Sequence, residues 1–480
     1  MKKGDYRGVP EAQSMQVYPI DSSFIAGQSF AVGVQPHSRF SVALYVQRGG
    51  ALLEKAAGVS PVAASAVVHA RHGDRFVFES AGSDAPRTYD QDWAWPSITL
   101  SPDAPTPPSG AYAVIVYPVD GNGRPTTPLG ERCAAGAPIA GVPPDSHDMA
   151  LVICRPAEPA ASIAYVLPLA TYHAYNSTGG GCFYDDHAHG TVPHWKVSLL
   201  RPGGGLGAQL GEPPDPYDPG SPRQQFSHWD ARFIRWLAAQ GIACDFYTDL
   251  DLHGGRLDLG AYRCMLSVGH HEYWSRDMRD AVARFLRGGG NVAVFSGNTC
   301  FRPVDFGAPG TPEHLKVMNK LAENWPDYDE SDLLGLSYGF GGGKWGDWEP
   351  GTGWTDTARD PIGFTVRDHG HWAFAGCGLA DGEVFGAEDR LVGYEVDGVP
   401  PLPNGFHVLA DTRTLEGWDM GGAGAMGIFG TEGASGPKRG LVFNGGTTDW
   451  ARVLTDNDAA ARPIVARITA NVLAAFTESR

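Results

Sequence analysis

Hydrophobic and polar positions alternate through the first third of the chain. The segments "SFAVGVQ", "FSVALYVQRG", "RFVFES" and "AYAVIVYPV" are rich in β-branched and aromatic residues, with Gly, Pro, Asp and Ser between them. A period of two marks half-buried strands. No helical period interrupts the series. Short strands at regular turn spacing predict an immunoglobulin-like β-sandwich over residues 1–150, ending in the Pro/Ala-rich stretch before "ASIAYVLPLATYHAYN".

Beyond that stretch, apolar runs alternate with helical periods. "SIAYVLPLA", "IACDFYTD", "YRCMLSVGH" and "NVAVFSGN" read as buried strands. "SHWDARFIRWLAAQG" places Phe233, Trp236 and Leu237 at helical spacing and has Gly241 as its stop. "SRDMRDAVARFLRGGG" offers Ser275 as N-cap, sets Met278, Val282 and Phe285 on one face, and ends in glycine. This alternation predicts a parallel sheet covered on both faces, an α/β domain of flavodoxin-like or glutamine-amidotransferase-like kind over residues 151–480. The stretch at about 300–360, with "GFGGGKWGDWEPGTGW", is expected to be an irregular insertion that walls or lids a site. Short strands ("IGFTV", "LVGYEVDG", "FHVLADT", "AMGIFG", "GLVFNGG") then lead to a last helix, "AAARPIVARITANVLAAF". The fold class is therefore multidomain, β followed by α/β.

Composition narrows the function classes. The chain has 480 residues, enough for two or three domains, with 42% hydrophobic and 19% charged residues, as a packed globular protein has. A net charge of −17 leaves no basic stripe to neutralise phosphates, so neither nucleic acid nor an anionic membrane is an expected partner. The start, "MKKGDYRGVPEAQ", has no apolar core of a secretory signal, and no run of about 18 apolar residues marks a membrane span. The seven cysteines form no C-x-x-C pair, which fits reduced thiols in the cytoplasm. The expected partner is a small-molecule substrate; assembly into a homo-oligomer is left open.

Candidate chemistry gathers where the predicted parallel strands end. Thr171, Tyr172, His173, Tyr175 and Asn176 follow the first. Thr248 and Asp249 follow the second. His270, His271 and Glu272 follow the third, and Asn298 and Thr299 the fourth. Ligands of open α/β sheets bind beyond the carboxyl ends of the strands, so four such ends carrying phenol, imidazole, carboxylate and carboxamide point to an active site. No G-x-S-x-G elbow is present, no phosphate-binding loop, and no dinucleotide fingerprint, since "GGGLG" follows no strand in the required way. Cys182 after "NSTGGG" has nothing to mark it as a nucleophile. Metal-assisted chemistry remains, and phenolate with carboxylate suits iron(III) better than zinc.

The segments "LPLATYHAYN", "LSVGHHEYWS", "VAVFSGNTCFR", "HWAFAGCGLADGEVFG", "LVGYEVDG", "HVLADT" and "GLVFNGGTTDWARVL" resemble the large (beta) subunit of bacterial N,N-dimethylformamidase and its C-terminal-domain relatives. "PPSGAYAVIVYP" is similar to that family's sandwich, and room for the extra inserted β-domain of the larger enzymes is missing. The resemblance implies a mononuclear non-haem iron (Fe3+) site of two tyrosinates and one carboxylate that hydrolyses a small amide. By motif, Glu272 of "GHHEYW" matches the carboxylate and Tyr175 of "AYN" one tyrosinate. His270 and Asn298 match active-site polar residues, and Glu395 of "GYEVDG" a further acid. The second tyrosinate is expected just after "KVSLLRP", where this chain has Gly203. Tyr184 of "CFYDD" or Tyr217 of "DPYDPG" could take its place, or Asp185, Asp186, His187 and His189 could have changed the ligand set.

Each residue also has a plainer reading. Glu272 would be a helix-end charge, Tyr175 a packed aromatic with a satisfied hydroxyl, Asn298 a turn residue, and His270 a hydrogen-bonded turn histidine. His271 is expected to be structural. Tyr273, Trp274, Trp345 and Trp348 are expected in the core or the pocket wall. Together the residues imply a metal-dependent amidohydrolase in which His270, Asn298 and Glu395 act on substrate and Tyr175, Tyr184 and Glu272 hold the iron. The alternatives are a divergent relative acting on another nitrogen-containing metabolite and a non-catalytic binding protein.

Overall fold

The structure, a computed structural model, describes residues 15–478 except 57, 65–66, 74, 86, 141–147, 177, 185–194, 204–213, 216–217, 223–224, 328, 345–346, 350–352, 356–359, 402–404 and 431–439. It is a mixed α/β fold dominated by sheets. In the first part, the strands Val17–Pro19, Phe30–Val34, Ser97–Pro102 and Val59–Ala64 form one sheet. A larger sheet runs Ile139–Ala140, Leu52–Lys55, His37–Val46, Gly110–Pro118, Met149–Arg155 and Ser23–Ile25. Alternate residues of the two sheets meet in one core, with Val32, Ile98 and Leu100 from the first and Leu44, Val114 and Val152 from the second. A helix, Pro128–Ala135, interrupts this part, where no helical period was legible; Thr127 caps it and Gly136 ends it in the left-handed region. The Met149–Arg155 strand still pairs with Gly110–Pro118, so the change of architecture falls after Arg155.

The second part is built on a nine-stranded sheet. Five of its strands run parallel, in the order Asp245–Thr248, Ile163–Leu167, Cys264–His270, Asn291–Gly297 and Val442–Asn444. Their side chains alternate between two cores. Ile163, Tyr165, Leu266, Val268 and Phe295 meet the helices Asp230–Ala239, Trp450–Thr455 and Arg462–Thr477 on one face. Ala164, Val166, Met265, Val292 and Val294 meet Met278, Val282 and Phe285 of the helix Arg276–Arg287 on the other. Ser275 caps that helix, its hydroxyl accepting from the Met278 amide. The Gly- and Trp-rich region is more regular than its composition suggests: it contributes the strands Arg302–Asp305, Val317–Lys320 and Ser337–Gly343 and a short helix, Ser331–Leu334. No helix among the described residues is long and apolar enough to cross a membrane.

The two parts are joined by polar bonds as well as by packing. The buried Asp251 carboxylate accepts from Ser23 Oγ at 2.6 Å and lies 3.4 Å from Arg155 Nε, both from the first part. A second seam runs along Tyr89–Trp93: Tyr89 N donates to Gly179 O, Ser198 N to Tyr89 O, and Trp93 N to Leu200 O.

That seam ends at Arg201, which is fully buried. Its guanidinium donates to Ser198 O, Asn176 O, Thr178 O and His173 O at 2.6–3.0 Å. The helix Leu169–Tyr175 ends here, and carbonyls of its last turn need donors that the helix cannot supply. A cation at a helix carboxyl end also suits the helix dipole. Burial pulls the Arg201 pKa down to about 10, which leaves it charged at neutral pH.

On the other side of the same helix, Tyr165 and Tyr172 both donate to the buried Asp230 carboxylate at the start of the helix Asp230–Ala239. Burial raises the Asp230 pKa to about 7, against the pull of the two phenols.

Two tests follow from these buried charges. Arg201→Met leaves several buried carbonyls without a donor, so it should destabilise the fold by about 3 kcal/mol or more, seen as a lower denaturant midpoint; an unchanged midpoint would remove Arg201 from this role. For Asp230, the folded pKa exceeds the unfolded one. Its contribution is fully present below about pH 4 and is lost as pH rises through about 7. The stability difference between wild type and Asp230→Asn should therefore shift against the wild type by up to about 4 kcal/mol across that window. A pH-independent difference would contradict the assignment.

Candidate active site

Two segments bring the candidate metal ligands together. Tyr175 is the last residue of the helix that follows the Ile163–Leu167 strand. The chain then turns around the Arg201 guanidinium and returns as far as Tyr184, whose ring stacks on Tyr175 with centroids 4.5 Å apart. Glu272 leaves the end of the Cys264–His270 strand. Its amide donates to Thr171 Oγ1 at 3.0 Å, so the helix that carries Tyr175 also fixes Glu272.

The oxygens of the three side chains converge. Tyr175 Oη lies 2.9 Å from Glu272 Oε2, Tyr184 Oη 2.8 Å from Glu272 Oε1, and the two phenol oxygens 3.0 Å apart. Burial, and then the Glu272 charge, push both phenol pKa values well above the ordinary 10. Without a cation the phenols therefore stay protonated and donate to the carboxylate. Neighbouring oxygens about 3 Å apart have the spacing of ligands on one ion with bonds of about 2.0–2.2 Å. The set is all hard oxygen, which fits a ferric ion. Among the described residues no cluster of three or more His, Cys, Asp or Glu side chains is arranged to hold a metal.

Beside this group lies a close His270–Glu395 pair. His270 Nε2 is 2.7 Å from Glu395 Oε2 and 3.4 Å from Glu272 Oε2, and its Nδ1 is 3.3 Å from Tyr394 Oη. Burial works against a charged His270, but Glu395 and then Glu272 outweigh it and raise its pKa. Asn298 Nδ2 lies 3.3 Å from Glu395 Oε2. Asn298 has φ +50°, and its amide donates to Asp397 Oδ1 at 2.7 Å, which holds it in that left-handed conformation. Glu395 and Asp397, two apart on one strand, point to the same side. The preceding Gly297 allows the close approach: a Cβ there would lie 2.6 Å from Glu395 O. Asn298 Oδ1 is buried with no hydrogen-bond partner among the described residues, an open acceptor beside the pair.

The structure thus brings Tyr175, Tyr184, Glu272, His270, Asn298 and Glu395 into one group. Gly203 stands where the resemblance implies an aromatic residue. It has φ +78°, and a Cβ there would come within 3.0 Å of the Asn176 carboxamide, so a bulky side chain is strained at this position. Tyr217, Asp185, Asp186, His187, His189 and Trp345 lie outside the described residues, as does the side chain of Trp348. His271 faces away into the protein: its Nδ1 is 2.9 Å from Ser267 Oγ and its Nε2 3.7 Å from Asp249 Oδ2, and burial pulls its pKa down to about 3.

Three residues around the group were not singled out as chemistry in the sequence. Arg302 Nε lies 3.4 Å from Glu272 Oε1. Tyr273 donates to Tyr184 Oη at 2.5 Å. Tyr394 holds the far nitrogen of His270. Arg302 lies in "CFRP" directly after the fourth strand, and that position was a signal for it; Tyr273 and Tyr394 were hidden among the aromatics of the core. A groove of about 650 Å³ lies near the amino-terminal ends of the Cys264–His270 and Asn291–Gly297 strands, against Tyr262, Arg284 and Asn291, and none of the candidate residues lines it.

The family model described as N,N-dimethylformamidase beta subunit-like, C-terminal, matches residues 64–461. No curated protein matches the chain. The match takes in every residue of the group and most of the chain, which therefore belongs to the N,N-dimethylformamidase beta subunit-like family.

Proposed function

We propose that the protein hydrolyses the C–N bond of a small amide with one ferric ion held by Tyr175, Tyr184 and Glu272. What carries the reading is the meeting of two phenols and a carboxylate with their oxygens 2.8–3.0 Å apart, in a chain whose family is named for an amidase. In the same reading, an immunoglobulin-like sandwich precedes a flavodoxin-like domain, and the enzyme works in the cytoplasm. When bound, the ion supplies Lewis acidity for the carbonyl and lowers the pKa of water toward about 7.

The chain's own groups then move the protons. Hydrolysis makes one C–O bond, breaks one C–N bond, and carries a proton from water to the amine. Glu395 and His270, 2.7 Å apart, share one proton. Glu395 accepts the proton of the attacking water, and the pair returns one to the leaving nitrogen, giving a carboxylic acid and an amine. Asn298 orients the substrate. Its Nδ2 donates toward the carbonyl oxygen, and its open Oδ1 accepts from water or from an amide N–H. Tyr394 fixes the imidazole through Nδ1.

The reading makes three demands. Purified protein should contain about one iron per chain and show a visible tyrosinate-to-iron charge-transfer band; colourless, metal-free protein at full activity would overturn it. Glu272→Gln should lose most of the iron while circular dichroism stays native. Glu395→Gln should keep the iron and the colour but lose at least about a hundredfold in kcat on a small formamide. A Glu272 variant that keeps both iron and turnover would return that residue to the role of a helix-end charge.

A further inference from the structure

Beside the phenol that holds His270, the site contains another that the proposed ligand set does not use. Tyr273 is fully buried, and its ring packs on Phe183 with centroids 5.4 Å apart. Its hydroxyl donates to Tyr184 Oη at 2.5 Å, and Tyr184 in turn donates to Glu272 Oε1 at 2.8 Å. Among the described residues Tyr273 makes no hydrogen bond to Glu272 or Tyr175. Its hydroxyl therefore bonds the ligand group only through Tyr184. Tyr175 differs, since it meets both Glu272 and Tyr184.

We propose that Tyr273 is a positioning residue that tunes the metal through Tyr184, its O–H donating to the Tyr184 oxygen once that oxygen is a metal-bound phenolate. The inference rests on the ferric reading above. Its physical content is an asymmetry between the two tyrosinates. A buried hydroxyl that donates to an anionic oxygen makes a charge-assisted bond, stronger than the neutral bond it replaces. That bond draws electron density from the Tyr184 phenolate and leaves Tyr175 as the better donor. Partners of this kind fix the ligand's orientation, and their loss commonly weakens metal binding about 10–100-fold. Lower electron density on a phenolate also raises the energy at which it passes charge to a ferric ion, so the hydrogen bond should be visible in the colour of the protein.

The position of Tyr273 fits the task. It opens the strand Tyr273–Ser275, whose pairing with Arg302–Asp305 starts at Tyr273 and Arg302. Its backbone amide donates to the Thr171 hydroxyl that also accepts from the Glu272 amide. The hydroxyl that tunes one ligand is therefore mounted on the same rigid support as another.

The test compares ferric-loaded wild type with Tyr273→Phe, which keeps the ring against Phe183 and removes only the donor. The variant should retain about one iron per chain, move its visible band to longer wavelength, and lose iron to a competing chelator with an affinity about tenfold weaker or more. A band and an affinity identical to wild type would reduce Tyr273 to packing. Loss of the band together with the iron would make Tyr273 a ligand itself; either result overturns the proposal. A measurement on unaltered protein guards against a variant that does not fold. In resonance Raman spectra, the modes of one tyrosinate should shift on exchange into D2O, and the absence of any deuterium-sensitive tyrosinate mode would also overturn it. Failure of the ferric reading itself is distinguishable, because wild type loaded with iron would then show no tyrosinate band at all.

Discussion

One buried guanidinium sets the geometry of the site. Arg201 makes no ion pair among the described residues; backbone carbonyls from residues 173, 176, 178 and 198 take its N–H groups. An unpaired charge in a protein interior is costly unless its hydrogen bonds are met. Here they are met by carbonyls at residues 173, 176 and 178 and by Ser198 O, so the chain after the helix closes in a turn around the cation. Tyr175 lies inside that turn and Tyr184 just beyond it. The position of both phenols is thus a consequence of where an arginine finds its acceptors, and the long "STGGGC" stretch supplies a backbone that can bend that tightly.

The second determinant is negative charge held away from water. Glu272, Glu395 and Asp397 are all nearly inaccessible, and burial raises the Asp397 pKa to about 7. Protons on Tyr175 and Tyr184, a proton shared by His270 and Glu395, and the Arg302 side chain offset this charge in the protein alone. Such an arrangement is poised for a cation. In the proposed reading, an ion taking the place of two phenol protons would relieve the crowding of acids, and its binding energy would add to the stability of the folded chain. The same crowding disfavours a purely structural role, because apolar residues of similar size would fill this space at lower cost.

Four of the five parallel strands were legible as apolar runs alternating with helical periods, though not their order in the sheet, and Glu272 and His270 were legible because they stand at the end of one of them. What escaped the sequence depended on contacts far apart in the chain. The helix Pro128–Ala135 is short and carries little apolar pattern; its caps, not its face, define it. The choice among Tyr184, Tyr217 and the acidic loop could not be made from spacing, since it depends on how the chain turns around Arg201. Arg201 itself, in "VSLLRPGGG", reads as an ordinary loop cation until its acceptors are seen. Tyr273 was assigned to the core, and it is buried there; only its hydroxyl bond sets it apart.

The first part of the chain bears on the site as well. Its Tyr89 belongs to the same apolar cluster as Phe183 and Tyr273, and Tyr175 and Tyr184 pack against that cluster. Its backbone pairs with Gly179, inside the turn that leads to Tyr184, and with Ser198, three residues before Arg201. A freely attached module would have no reason to share a core with the residues under a reactive centre. The first part instead pairs along the turn through the Tyr89 backbone. Tyr175 is then backed by the helix end, and both phenols pack against the cluster that holds Tyr89, Phe183 and Tyr273. Two phenols that hold one ion, as proposed, would need that support, because a looser turn would let their oxygens drift apart between binding events.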